Sequence, residues 1–259
     1  MEKKKVATQW HEIAYTRESL RWWVTPEWKE KELRYLQTAL GLKGHERILD
    51  LACGEGKRAL FLAQRGFSVV GVDLAENVII AAREQAYKQG VRADFISADF
   101  RSLTFDHEFD VVLSMGDGAI GYLEAAEENQ KIFAVIARAL KPGGKHLMDI
   151  PNKAYARQHF PLKLWLPEED GITLLDACWQ EKTQRVIIDC RPIRYGTVFR
   201  KEAAPVQLSQ ILYTVDELQQ LLNAQHMDVL EVCGDFERKC PPSPECHEIV
   251  VLSVKRGDR

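Results

Sequence analysis

Two glycines and a later aspartate have the residue types and the spacing of a nucleoside-binding site. Gly54 and Gly56 follow a short apolar run, residues 48–51, and glycine lets a backbone turn tightly and approach a ligand closely. Asp73 comes nineteen residues after Gly54, at the end of a second apolar run. The helix predicted after the glycines presents free N–H groups, and the aspartate can hold sugar hydroxyls. The pattern predicts a nucleoside-binding half-site.

The glycines alone do not identify the nucleoside. With Ala59 they fit the G-x-G-x-x-A fingerprint of dinucleotide-binding proteins, so NAD and S-adenosylmethionine are both candidates. Asp50, four residues before Gly54, favours S-adenosylmethionine. A carboxylate there can receive the ammonium group of an amino acid and would repel a pyrophosphate. A capping or ion-pair role is the structural alternative for Asp50.

A second acid favours the same ligand from the end of the third predicted strand, residues 93–98. The Asp99 carboxylate can accept a hydrogen bond from an adenine amino group, while Phe100 covers the ring face. The alternative for Asp99 is that it caps the next turn. Farther along, residues 141–144 break a helix before a fifth strand, and a terminal hairpin follows. An NAD-binding half would more often continue into another parallel unit.

Taken together, these stretches resemble the class I S-adenosylmethionine-dependent methyltransferases. The resemblance covers residues 45–150 and, as the usual final helix and hairpin, residues 213–254. It rests on five stretches: 49–56, 70–73, 98–100, 109–112 and 140–144. The sequence departs from the family at Ala52, where glycine is frequent.

The resemblance implies which residues hold the cofactor's amino-acid end. Gly54 and Gly56 would allow close contact with the methionine moiety, beside Ala52 and with Asp50 at the ammonium group. Arg58 is the candidate partner for the methionine carboxylate.

The same resemblance assigns the nucleoside end. Asp73 would hold both ribose hydroxyls. Leu74 and Phe100 would bracket the adenine, with Asp99 at its amino group.

Methyl transfer needs no dedicated catalytic motif, because the sulfonium methyl is already activated. The protein has to hold a nucleophile about 3 Å from that methyl and exclude water. By the resemblance, Met115 and Gly116 would line the path to the sulfonium. A general base helps only where the acceptor arrives protonated, and the candidates at the ligand side are Asp117, Tyr122 and Asp149. An ordinary turn and simple packing are the alternatives for these side chains.

Charge and motif content narrow the acceptor. The chain has 259 residues and a net charge of −3, which disfavours a surface that follows nucleic-acid phosphates. Residues 114–117 also lack the Asn/Asp-Pro-Pro-Tyr run with which nucleic-acid and glutamine amino methyltransferases cradle a planar amine. We therefore expect a small-molecule acceptor and no nucleic-acid partner. The sequence specifies no oligomeric state.

The six cysteines are scattered through the chain, and most should be free thiols in a reducing compartment. Cys233, Cys240 and Cys246 cluster loosely before His247, but the spacings of the six cysteines match no common zinc pattern, and we predict no metal. Neither a signal peptide nor a run long enough to span a membrane is evident. We expect a cytoplasmic protein.

Strands that alternate with helices over residues 45–150 predict a doubly wound α/β core. With a terminal hairpin it becomes a mostly parallel, seven-stranded, Rossmann-like sheet. Residues 1–44 are predicted to form an aromatic helical lid, 151–212 an antiparallel β insert that caps the substrate, and 213–259 the final helix and hairpin. This organisation favours an S-adenosylmethionine-dependent methyltransferase. The alternatives are an NAD-dependent oxidoreductase and a non-catalytic module that binds the cofactor.

Overall fold

A computed structural model describes residues 34–116, 118–167, 170–198, 206–236 and 240–257. The predicted N-terminal lid therefore lies mostly outside the described residues. Of that segment, residues 34–40 are helical (α1), and Leu36 and Leu40 are buried against the core.

The core is a seven-stranded, mostly parallel sheet. Its strands are β1 (Arg47–Leu51), β2 (Ser68–Asp73), β3 (Asp94–Ser97), β4 (Phe109–Ser114), β5 (Leu140–Pro151), β10 (Met227–Cys233) and β11 (Glu248–Lys255). They lie in the order β10-β11-β5-β4-β1-β2-β3. The first five pair in parallel, whereas β11 is antiparallel to both of its neighbours. The predicted seven-stranded fold is confirmed.

A second sheet is formed by the segment between β5 and the last helix. Its strands are β6 (Leu162–Pro167), β7 (Gly171–Gln180), β8 (Arg185–Arg194) and β9 (Val206–Ile211). They pair antiparallel in sequence order, and we call these four strands the insert sheet. Because only three residues join β6 to β7 and only four join β7 to β8, antiparallel pairing is the simplest arrangement of these strands.

Helices cover both faces of the core sheet. They are α2 (Lys57–Gln64), α3 (Glu76–Gln89), α4 (Ala126–Ala139) and α6 (Val215–Ala224). Helix α5 (Lys153–His159) instead packs on the insert sheet through Ala156. Ile48 of β1 packs with α1, α2 and α3 on one face, while Leu49 and Leu51 pack with α4 and α6 on the other. Side chains of a strand alternate between faces, so this pattern places Asp50 on the α2 face.

The order of the strands creates a crevice at the carboxyl edge of the sheet. From β1 the chain winds outward to β2 and β3, and from β4 it winds in the opposite direction to β5. The loops that follow β1 and β4 therefore diverge. Ligands of open α/β sheets bind at such a reversal, and we call this place the switch-point crevice.

Candidate functional site

The loop after β1 has an unusual backbone that suits a close approach to a ligand. Ala52, Gly54 and Gly56 have φ values of 55°, 54° and 70°, in the left-handed region that favours glycine. A Cβ on Gly56 would lie 2.5 Å from the Phe95 ring, whereas a Cβ on Gly54 would meet nothing within 4 Å. Gly56 is therefore required for packing, and Gly54 borders open space.

Asp73 fastens this loop to the end of β2. Its Oδ2 accepts a hydrogen bond from the Gly54 N–H at 2.9 Å, and its Oδ1 accepts one from the Ala75 N–H at 2.9 Å. The side chain is almost fully buried. A carboxylate has about four lone-pair sites, so this geometry is compatible with the predicted ribose contact, which stays a prediction.

Asp149 fastens the loop after β4, on the other side of the crevice, to the end of β5. From β5, its Oδ1 accepts a hydrogen bond from the Gly116 N–H at 2.7 Å. Gly116 has a φ of 67°, and a Cβ there would also meet nothing within 4 Å. Two buried carboxylates thus hold the two loops that bound the switch-point crevice, each through a glycine that borders open space.

Two oppositely charged side chains lie together where the sequence predicts contact with the amino-acid end of the cofactor. Asp50 is fully buried, and its Oδ1 lies 3.8 Å from the Arg58 Nη1 of helix α2. The ion pair that the sequence left as an alternative is therefore present. A carboxylate and a guanidinium side by side also complement an amino-acid zwitterion, so the predicted roles of Asp50 and Arg58 are compatible with this geometry.

The predicted adenine side has one exposed and two structurally engaged residues. The Asp99 carboxylate accepts hydrogen bonds from the Arg101 backbone N–H at 2.9 Å and from its Nε at 3.0 Å, so Asp99 does cap the following turn. The hydrogen bond with Asp99 raises the pKa of Arg101. Phe100 is buried in the core beside Val72, and Leu74 is 39% exposed. The adenine contacts of Asp99, Phe100 and Leu74 stay predictions.

The loop after β4, residues 115–125, carries the remaining predicted residues. Met115 is buried in the core, so contact with a cofactor stays a prediction for its side chain. Asp117 lies outside the described residues. Tyr122 is partly buried. Asp149 is engaged with Gly116, and its role as a general base stays a prediction.

The backbone of this loop is held in an uncommon conformation. Gly118 and Ala119 have φ values of 56° and 55°. A Cβ on Gly118 would lie 2.7 Å from the Ser114 Cβ, and one on Gly121 would lie 2.2 Å from the Ile211 oxygen. Backbone strain of this kind clusters at functional sites, and here it lies next to the switch-point crevice.

The insert sheet is fastened directly to this loop. The Arg185 guanidinium donates to the Leu123 oxygen at 3.1 Å, to the Gly121 oxygen at 3.4 Å and to the Ser209 Oγ at 2.7 Å. The Ile211 N–H donates to the Gly121 oxygen at 2.8 Å. Burial lowers the pKa of Arg185. Motif reasoning did not single out Arg185, since an arginine that binds carbonyls has no sequence signature.

A buried lysine beside the insert sheet was also missed. Lys153 follows β5, and its Nζ lies 2.8 Å from the Glu217 Oε1. Burial favours a higher pKa for Glu217, but the hydrogen bonds from Lys153 and Thr214 hold that pKa below its usual value. The pair borders a cleft of about 340 Å³ between α4 and α6. Glu217 also forms a capping box with Thr214 at the start of α6.

Two further findings concern only the described part of the chain. No group of three or more His, Cys, Asp or Glu side chains there could hold a metal ion. No described helix is long and apolar enough to cross a membrane.

Comparison with known proteins gives concordant matches. Residues 48–144 match a methyltransferase domain family. A protein of Geobacillus sp. (strain WCH70) that is named as a methyltransferase is 30% identical over 218 residues, 83% of this chain and 87% of the relative. A ubiquinone biosynthesis O-methyltransferase of Coxiella burnetii (strain Dugway 5J108-111) is 32% identical over 124 residues, 48% of this chain and 50% of that protein.

A solved structure has the same fold over nearly the whole chain. An S-adenosylmethionine-dependent methyltransferase from Clostridium acetobutylicum ATCC 824 superimposes with a TM-score of 0.76 at 16% identity. The match covers 96% of this chain and 98% of that chain.

Proposed function

Because this chain belongs to the class I S-adenosylmethionine-dependent methyltransferases, we propose that it methylates a small molecule held between the insert sheet and the loop after β4. The observation that carries the proposal is the attachment of the insert sheet to that loop through Arg185. A cap fastened to the loop nearest the reacting centre can enclose a small acceptor and exclude water.

The described residues fit the cofactor. Gly54 and Gly116 border open space from opposite sides of the switch-point crevice. Asp50 and Arg58 present opposite charges suited to an amino-acid zwitterion, and the Asp73 carboxylate lies at the end of β2 beside the Gly54 backbone. We assign these five residues to cofactor binding.

The reaction asks the protein mainly to orient its ligands. When bound, S-adenosylmethionine supplies an electrophilic methyl group on its sulfonium. Asp73 and Asp149 fix the two loops through Gly54 and Gly116, so the reacting groups meet in a preset geometry. We assign Asp149 to positioning of the loop after β4, because its Oδ1 already binds the Gly116 N–H at 2.7 Å.

Two further arguments favour a small acceptor over a nucleic acid. The net charge of −3 disfavours a surface that binds phosphate backbones. The Coxiella burnetii relative, whose name assigns it to ubiquinone biosynthesis, acts by that name on a small molecule.

Transfer of labelled methyl groups tests the proposal. Purified protein is incubated with methyl-labelled S-adenosylmethionine and a cell extract separated into small-molecule, nucleic-acid and protein fractions. We expect label in the small-molecule fraction, and a large reduction of that label in the Asp73→Ala variant. Label mainly in nucleic acid or protein would contradict the proposed acceptor class.

Calorimetry separates a wrong acceptor from a wrong activity. We expect S-adenosylhomocysteine to bind and NAD not to bind. Binding of S-adenosylhomocysteine without transfer into any fraction would instead favour the non-catalytic module.

A further inference from the structure

Two thiols are paired between β10 and β11, where the structure describes residues 234–236 and 240–247; we call these residues the paired-thiol loop. The Sγ atoms of Cys240 and Cys246 lie 3.1 Å apart, and both residues are partly exposed. A disulfide bond has an S–S length of about 2.05 Å. A relative movement of about 1 Å would therefore bring the two sulfurs to bonding distance.

Neighbouring residues hold the two sulfurs close together. Gly234 donates its N–H to the Cys240 oxygen at 3.0 Å. A Cβ on Gly234 would lie 2.4 Å from the Cys246 Sγ and 2.7 Å from the Cys240 Sγ, so only glycine leaves room for the pair. The Asn152 side chain donates to the oxygens of Ser243 and Cys246, both at 2.8 Å. The pair therefore rests on a loop fixed to the end of β5.

The local hydrogen bonds make the two thiols unequal. The hydrogen bond with Ser243, and then the one with Cys240, lowers the pKa of Cys246 below its ordinary value. The hydrogen bond with Cys246 raises the pKa of Cys240 to about 12, and Cys240 also donates to the Asp235 Oδ2 at 3.3 Å. Because the thiolate is the nucleophile in exchange reactions, Cys246 is the sulfur that attacks first.

Burial raises the pKa of three other thiols of the chain. Burial raises the pKa of Cys190 to about 11 and also raises the pKa of Cys178. Burial raises the pKa of Cys53 well above its ordinary value. An oxidant that reacts with thiolates would therefore react with Cys246 before it reacts with any of these three thiols.

We propose that Cys240 and Cys246 form a reversible dithiol–disulfide site that reacts with oxidised low-molecular-weight disulfides such as oxidised glutathione. The Cys246 thiolate attacks one sulfur of the small disulfide, which breaks the S–S bond and releases one thiolate. Cys240 then loses its proton and attacks the Cys246 Sγ, releasing the second thiolate. The protein loses two electrons and two protons, and the small disulfide gains them as two thiols.

The position of the site connects it with the carboxyl edge of the core sheet. The Asn152 N–H donates to the His247 oxygen at 2.9 Å, so the paired-thiol loop contacts the residue that follows β5. Asp149, three residues earlier on that strand, holds Gly116 at the switch-point crevice. Closing the disulfide would stiffen a loop that adjoins one wall of the proposed site.

Mass spectrometry tests the proposal on the full chain. Reduced protein is equilibrated with mixtures of oxidised and reduced glutathione, quenched with acid, alkylated and digested. We expect a loss of about 2 Da and a Cys240–Cys246 cross-linked peptide at ratios where Cys178 and Cys190 are still alkylated. Both paired thiols staying alkylated when the other cysteines have reacted, or a cross-link to a different cysteine, would overturn the site.

Single substitutions test the order of attack. In Cys240→Ser, Cys246 should accumulate one glutathionyl group, because the resolving thiol is missing. In Cys246→Ser the hydrogen bond with Cys246 that raises the pKa of Cys240 is lost, but Cys240 still donates to the Asp235 Oδ2, so it should react more slowly than Cys246 does in Cys240→Ser. Equal rates for the two variants would refute the assignment of the nucleophile. Cys178→Ser is the matched control and should oxidise as the wild type does.

Discussion

The Asp73→Asn substitution should separate two roles of one carboxylate. In the folded protein, Asp73 accepts a backbone N–H with each oxygen, from Gly54 and from Ala75, both at 2.9 Å. Asparagine has nearly the same shape but only one acceptor oxygen, and its amide would point a donor at the second N–H. The substitution therefore removes the charge and one of the two loop contacts without creating a cavity.

The expected magnitudes follow from this geometry. A buried N–H without a partner costs about 1–3 kcal/mol, so the free energy of unfolding of the cofactor-free protein should fall by about 2 kcal/mol. Loss of a ribose acceptor should weaken S-adenosylhomocysteine binding by about 1–3 kcal/mol, a factor of about 5 to 150 in Kd. Asp73→Ala should reduce both the free energy of unfolding and the binding affinity by more than Asp73→Asn does, because it leaves two buried N–H groups unpaired.

Urea unfolding without cofactor and calorimetry with S-adenosylhomocysteine measure the two effects separately. Asp110→Asn is the matched control. That carboxylate also accepts a backbone N–H at a strand end, from Arg47 at 2.9 Å, but at the amino edge of the sheet. It should lose stability while its Kd stays within about twofold of the wild type. A Kd for Asp73→Asn within that same range would remove Asp73 from the cofactor site.

Three other perturbations follow from single contacts. Ala52→Gly should leave the free energy of unfolding unchanged or raise it by up to about 1 kcal/mol, because Ala52 has a φ of 55°, which glycine adopts more readily. The control Ala63→Gly lies within α2 and should lower the free energy of unfolding by about 1 kcal/mol in the same urea assay. Burial lowers the pKa of His146 to about 3, so its neutral form favours the folded state above pH 6.5. As the pH falls from 6.5 toward 3, stability should decline by up to about 1.4 kcal/mol per unit, a slope that His146→Gln should reduce. Arg185→Met should speed amide exchange at Gly121 while changing the Kd for S-adenosylhomocysteine less than about twofold. Unchanged exchange at Gly121 would refute the view that Arg185 holds the insert sheet to the loop after β4.

Much of the fold was predictable because its determinants are local. Apolar runs of strand length and helical stripes with glycine breaks specify the units β1-α2-β2 and β4-α4-β5, since each unit buries its own hydrophobic face. Glycines 54 and 56 could be recognised because a left-handed turn after a strand tolerates little else. The antiparallel insert followed from the absence of long helices between its strands.

The partners of the polar residues required the tertiary structure. The sequence placed Asp73 and Asp149 at strand ends, but only the sheet order shows that each binds the loop glycine of a neighbouring strand. Asp99 could read as an adenine ligand or as a cap until Arg101 was seen beside it. A carboxylate accepts from any donor within reach, and what lies within reach is decided by strands that are far apart in sequence.

The two cysteines of the loop after β10 illustrate the same limit. Their six-residue spacing matches no metal or redox motif, and the sequence gives no reason to pair them. The fold pairs them because Gly234 leaves the space and Asn152 fixes the loop. The sequence by itself determined the nucleoside-binding half-site, because its signals from Asp50 to Asp73 lie within 23 positions of one another. Only the tertiary structure decided which side chains hold the site, because those contacts join segments up to about a hundred residues apart.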